Sequence, residues 1–229
     1  MSGPLASGPV LEAAGVVKTL GSGAAAVQAL RGVGLALARG ELALLMGPSG
    51  SGKTTLLSIL GCMLKPSAGT VTVGGRPTEG LGPEALARLR RNHIGFVFQS
   101  YHLFPTLTAA ENVRLALDVR GYPARSAKAK ARAALAEVGL SHKERSFPRN
   151  LSGGEQQRVA IARAIVGDPA AILADEPTAA LDGENGQAVM AILSKLKAQG
   201  RGVLVVTHDT RLLPFADRVI HIEDGRIGP

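Results

Sequence analysis

Tryptophan is absent from the 229 residues and aromatics make up only 3% of them, so a core has to be built from Leu, Val, Ile and Ala. No Phe, Tyr or Trp precedes Met46. No apolar run reaches the roughly 18–20 residues that a bilayer crossing requires. The longest, Gly40–Met46 and Gly202–Thr207, have strand length, so any membrane-spanning part is expected on another chain. The single cysteine, Cys62, excludes an internal disulfide and suits the cytoplasm. It lies on an apolar helical pattern, LLSILGCML, where a buried structural thiol is expected. Heptads and zinc-type Cys/His clusters are missing as well. The opening MSGPLASGP has neither a basic start nor an apolar stretch, so it reads as a frayed tail and not as a signal peptide.

What is present is globular: 45% apolar and 19% charged residues, enough for one large domain over residues 11–229 behind a flexible tail at 1–10. The net charge of +8 has two readings. One is nucleic-acid binding through patches such as Arg88, Arg90 and Arg91 or Lys128, Lys130 and Arg132. The other is a solvated basic surface suited to an anionic inner leaflet. No aromatic residues interleave these cations, which favours the second, and no nucleic-acid partner is expected.

Hydrophobic periodicity sets out the order of elements. Glu12–Leu20 and Gly69–Gly74 read as short strands between Gly turns. GELALLMG is a buried strand, followed by a helix from Lys53 to Leu64 that Pro66 stops. HIGFVFQ is strand-like, and Thr108–Val138 is helical with a break near Gly121 and Pro123. SGGEQQRVAIARAIVGDP is a helix that Ser152 caps, with Glu155 completing a capping box and Gly167 and Pro169 ending it. AAILADE and GVLVVTHD are further buried strands with a helix between them. Such alternation predicts a mostly parallel α/β core, with a helical unit inserted at about residues 100–167.

Four groups of residues carry chemistry. GPSGSGKT, comprising Gly47, Pro48, Ser49, Gly50, Ser51, Gly52, Lys53 and Thr54 and followed by Thr55, is a phosphate-binding loop between a strand and a helix. Its backbone N–H groups form an anion nest, Lys53 faces the β/γ-phosphates and Thr54 can ligate Mg²⁺. AILADEPT delivers Asp175 and Glu176 at the carboxyl end of a buried strand. Successive strand residues point opposite ways, so the two differ in role: Asp175 suits a Mg²⁺ shell, Glu176 a general base or water-orienting group. His208 ends another apolar strand and is a candidate γ-phosphate sensor. Ser152, Gly153, Gly154 and Glu155, in LSGGE, open a helix and make a second anion-binding N-terminus. A chain with one phosphate loop does not need that second site for its own nucleotide. It is therefore expected to receive the γ-phosphate held by another copy, in a composite site.

With these motifs and Gln99 in their order, the chain from Leu11 to Gly228 resembles an ABC transporter nucleotide-binding domain. The resemblance implies a P-loop NTPase of RecA-like core, an antiparallel β subdomain and an inserted helical subdomain. It also implies an ATPase that binds ATP and Mg²⁺, with Gln99 sensing metal and water and Asp182, in AALD, passing signals between the two sites. In that family Glu176 polarises water and His208 holds the γ-phosphate. The wording of GPSGSGKTTLLSILGC, IGFVFQSYHLFPTLTAAENV and FADRVIHIEDGRI is similar to ATPases of the macrolide-exporter, lipoprotein-release and heterocyst glycolipid exporter group. There the partner is a permease with a large extracytoplasmic domain, often with a membrane-fusion protein, and the ATPase itself lies peripherally on the cytoplasmic face of the bacterial inner membrane. The alternatives are a soluble ABC ATPase acting on nucleic acid or ribosomes, and a regulator of a periplasmic enzyme through a membrane partner. Two departures stand out: Leu20 occupies the position where many relatives stack an aromatic on the base, and Glu155 replaces the commoner glutamine.

Overall fold

The computed structural model describes residues 8–228, arranged as a six-stranded sheet and a separate four-stranded one. Of the expected tail, residues 1–7 lie outside the described residues. Val10 does not belong to a tail: it is buried, its N–H donates to Leu37 O and its carbonyl accepts from Gly74 N.

The larger sheet runs, in spatial order, through β10 (Arg226–Ile227), β9 (Arg218–Glu223), β3 (Leu42–Met46), β8 (Gly202–Val206), β7 (Ala171–Asp175) and β6 (Ile94–Val97). It is parallel from β9 to β6, with β10 antiparallel at one edge. The smaller sheet is antiparallel, in the order β2 (Val27–Leu37), β1 (Leu11–Leu20), β4 (Ala68–Val73) and β5 (Arg76–Pro77). Among the described residues six α-helices join them: α1 (Lys53–Leu60), α2 (Pro83–His93), α3 (Ala109–Asp118), α4 (Ala124–Glu137), α5 (Gly153–Ile165) and α6 (Gly183–Ala198). The stretch read as an inserted helical unit contains α3, α4 and α5. Among the described residues no helix is long and apolar enough to cross a membrane.

Strands β3, β7 and β8 are apolar on both faces, as parallel strands covered on two sides must be. Because side chains alternate across a strand, each one feeds two cores. Leu42, Leu44, Ile172, Ala174, Val203 and Val205 pack with α3–α6 through residues such as Val113, Leu135, Ile161 and Leu193. Ala43, Leu45, Leu173, Leu204 and Val206 pack instead with α1 and the antiparallel sheet, against Leu56, Leu60, Leu11 and Leu30.

Helix α1 is shorter than the periodicity predicts. It ends at Leu60, six residues before Pro66, because Cys62 turns left-handed (φ 54°) and Met63 N–H folds back onto Ser58 O. Cys62 is buried, and that burial pushes its thiol up from the ordinary value. Strand β2 and helix α2 were not anticipated. In β2 the buried positions are Leu30, Val33, Leu35 and Leu37. Register shifts against β1 put the first two three residues apart, which destroys the alternation a strand search relies on. Helix α5 starts as expected: Ser152 Oγ accepts from Glu155 N (3.2 Å) while Glu155 Oε2 accepts from Ser152 N (2.8 Å).

Candidate functional site

The loop of residues 47–54 links the buried end of β3 to α1, and its backbone is held from outside. Gly52 has φ 102°, and a Cβ there would lie 2.6 Å from Ala29 O and 2.9 Å from Leu30 Cδ2, so the loop closes directly on β2. Gly225 N–H donates to Ser51 O (3.1 Å), and Arg31 N–H donates to Gly225 O (2.8 Å), which braces the loop with the β9–β10 turn. No side chain caps α1, so its first N–H groups remain to meet an anion. Lys53 Nζ donates to Gly47 O (2.8 Å) and Pro48 O (2.7 Å), which keeps the cation curled over the loop.

A cleft of about 870 Å³ opens in front of this loop. Gly47, Pro48, Ser49, Gly50, Gly52, Lys53, Thr54 and Thr55 line it, together with Gln99, Asp175, Glu176 and His208. Ser51 instead turns its side chain inward, where it is buried. Thr54 Oγ1 stands 3.5 Å from Asp175 Oδ1. Burial raises the Asp175 carboxyl above the usual carboxylate range and the neighbouring Glu176 charge adds to this, while Thr54 and Lys53 oppose both. Glu176 sits just past the end of β7 in a left-handed conformation (φ 46°), with its N–H on Val206 O (2.9 Å). A non-glycine residue held there costs energy that the surrounding structure must supply, a common condition at functional sites. Its Oε1 lies 2.7 Å from His208 Nδ1.

Ser152, Gly153, Gly154, Glu155 and Asp182 are not among the residues lining this cleft. Asp182 caps α6 by accepting from Asn185 N (2.8 Å), and that bond holds its carboxyl below the ordinary value. A Cβ on Gly154 would lie 2.2 Å from Asn185 Oδ1, so the start of α5 and the start of α6 form one surface. Glu155 is likewise held below the usual carboxylate range, first by the Ser152 N–H, with Lys143 3.1 Å away.

The hairpin β1–β2 supplies, besides the expected Leu20, cleft residues that the sequence reading missed. Leu20 pairs with Val27, and both line the cleft with Gln28, Ala29 and Arg31. Leu20 is 42% and Val27 64% exposed, so the two make an apolar platform at its rim. Asp224 and Gly225 complete the wall. Recognising β2 would have brought Val27 opposite Leu20.

A family model described as ABC transporter matches residues 30–179. The chain is 47% identical over 221 residues to the macrolide export ATP-binding/permease protein MacB of Burkholderia pseudomallei, and 47% over 218 residues to that of Salmonella typhi. These alignments cover 96% and 95% of this chain but 34% of each relative, so the chain spans about a third of their length. Among solved structures, a dimeric post-hydrolysis state of the ATP-binding cassette MJ0796 bound to ADP and Pi matches with TM-score 0.88 and 41% identity, covering 96% of this chain and 97% of that one. CbiO1 from Clostridium perfringens, part of the ABC transporter complex cbiONQ, matches with TM-score 0.87 and 27% identity over 97% and 88% of the two chains. The chain thus belongs to the ABC transporter family and is an ATP-binding, ATP-hydrolysing cassette of it.

Proposed function

We propose that two copies of this chain close around two ATP molecules and that their hydrolysis drives a membrane permease with an extracytoplasmic domain, as an exporter or mechanotransmission system. The observation that carries this reading is a separation: the phosphate loop, Glu176 and His208 share one cleft, while the N-terminus of α5 presents Ser152 and Gly153 away from it. One nucleotide cannot be reached by both sites within a single chain, and a facing copy supplies the second half.

In the composite site, Lys53 exchanges its two carbonyl partners for the β/γ-phosphate oxygens, and the α1 N–H groups take the remaining charge. Glu176 accepts a proton from, or orients, the attacking water, while His208 beside it reaches the γ-phosphate. Thr54 and Asp175 offer hard oxygen donors on one side of the cleft and Gln99 a third, which fits Mg²⁺. Among the described residues no three His, Cys, Asp or Glu side chains converge for a metal, so phosphate oxygens and water would complete the shell, as Mg²⁺ prefers. That ion would neutralise charge on the β- and γ-oxygens. Working beneath a permease places the chain peripherally on the cytoplasmic face of the inner membrane, and a membrane-fusion protein would complete an exporter of this kind.

Complementation tests the composite site. A Ser152→Arg chain and a Lys53→Ala chain should each be inactive alone and regain ATP hydrolysis when mixed, because one intact site forms per heterodimer. Heterodimers seen by native mass spectrometry without any recovered turnover would refute it.

A further inference from the structure

Gln99 stands at the start of a tight reversal in which Tyr101 (φ 59°) and His102 (φ 48°), two and three residues on, are both left-handed. Two consecutive non-glycine residues in that region do not hold themselves there. Locally they have Tyr101 N–H on Phe98 O (3.2 Å) and the His102 ring 4.6 Å from that of Phe98. The other restraint comes from far along the chain. Arg163, on the third turn of α5, donates from Nη2 to Tyr101 O (2.7 Å) and from Nη1 to His102 O. Among the described residues no carboxylate pairs with this guanidinium, whose partners are those two carbonyls. From the same turn the Tyr101 hydroxyl reaches the beginning of α5, where it would lie 3.0 Å from a Cβ on Gly153. The reversal carrying Gln99 is therefore fastened by Arg163 to the helix whose N-terminus carries Ser152 and Gly153, and Tyr101 packs close to that N-terminus.

We propose that Arg163 is a positioning residue: through the carbonyls of Tyr101 and His102 it locks the Gln99 reversal to α5, so that Gln99 and the Ser152 end of α5 move as one body. Gln99 faces the nucleotide of its own chain, whereas Ser152 faces that of the facing copy. The clasp makes occupancy of one cleft set the angle at which α5 is presented to the other. This rests on the composite-site reading. A planar guanidinium suits the task because its fork meets two adjacent carbonyls at once, with less freedom than an ammonium.

The test uses the full chain, with Glu176→Gln as the parent for dimerisation and the wild type as the parent for turnover. Arg163→Gln should leave the affinity of the monomer for ATP within about twofold, since it touches no residue lining the cleft wall around Lys53. In the Glu176→Gln parent it should raise the ATP concentration needed for dimers in light scattering by about tenfold. In the wild-type parent it should lower kcat by about tenfold with KM little changed, and Arg163→Lys should recover part of both losses. A folded Arg163→Gln chain with unchanged dimerisation and kcat overturns the proposal, as does a proportional loss of ATP affinity and turnover. If Arg163→Gln does not fold, Arg163→Lys decides: a lower kcat at unchanged KM supports the clasp, and wild-type behaviour overturns it. Failure of the Glu176→Gln parent itself to dimerise with ATP would count against the composite site, and the kcat comparison would still judge Arg163.

Discussion

His208 Nδ1 lies 2.7 Å from Glu176 Oε1, and the two partners differ sharply in freedom: the imidazole side chain is 74% exposed and the carboxylate 16%. The carboxylate is therefore the fixed member and the histidine the one able to swing towards a phosphate. Glu176→Gln keeps the shape and removes the charge, and should lower hydrolysis by about 10²–10⁴-fold while ATP still binds. His208→Ala should lower it by about a hundredfold, with Glu176 still in place. Single-turnover assays with radiolabelled ATP separate binding from cleavage, and normal cleavage by Glu176→Gln would remove it from the base role.

Lys53 holds the carbonyls of Gly47 and Pro48 at 2.8 and 2.7 Å, so its charge is already aimed along the loop before any phosphate arrives. Lys53→Ala should weaken ATP binding by about ten- to a hundredfold, the equivalent of one charge-assisted contact. A titration with a fluorescent ATP analogue reads this directly, and unchanged affinity would exclude the phosphate-loop role.

At the rim of the cleft, Leu20 and Val27 offer a base apolar contact without a flat π-face. ATP and GTP should then bind with similar affinity, because the phosphates dominate. Leu20→Tyr should tighten binding several-fold, in keeping with roughly 1–3 kcal/mol for stacking a base on an aromatic ring, and leave kcat at saturation unchanged. Strong preference of the wild type for ATP in such titrations would mean that another residue grips the base.

Asp217 joins α6 to the start of β3: its carboxylate accepts from Leu42 N (2.8 Å) and from Lys197 Nζ (2.8 Å). The Leu42 N–H first, and Lys197 after it, hold this carboxyl below the usual range. A carboxyl depressed in the folded state contributes stability that is complete above its unfolded pKa and fades as pH falls through the folded one. Asp217→Asn should thus cost about 1 kcal/mol at neutral pH, a figure kept small because the side chain is partly exposed. Urea melts should show a constant gap between pH 7 and 5 that narrows only below about pH 4. A gap already closing at pH 6 would point to a different group.

Much of this was legible from residues that act locally. The phosphate loop, the apolar runs of β3, β7 and β8, and the Ser152–Glu155 capping box each follow from a few neighbouring side chains, and each has the expected structure. Local reading failed where a distant partner or an irregular register decides the outcome. Strand β2 hides because register shifts break its alternation, and α1 ends early because the chain turns back at Cys62. Arg163 and Asn185 bind or abut backbone and carboxylate groups far along the chain or one turn away, and such contacts leave no periodic trace. Leu20 was visible as a departure, but its companion Val27 was not.

The strands that feed two cores at once carry a thermodynamic consequence. Since Leu44 and Leu45, adjacent in sequence, anchor opposite hydrophobic clusters, neither cluster can melt without stripping one side of β3, and with it the floor of the other. Denaturation should be all-or-none across both layers, with no half-molecule surviving as a cooperative unit. A nucleotide seated on the loop that leaves β3 would then protect the antiparallel layer and the helical layer alike, by the same increment of free energy.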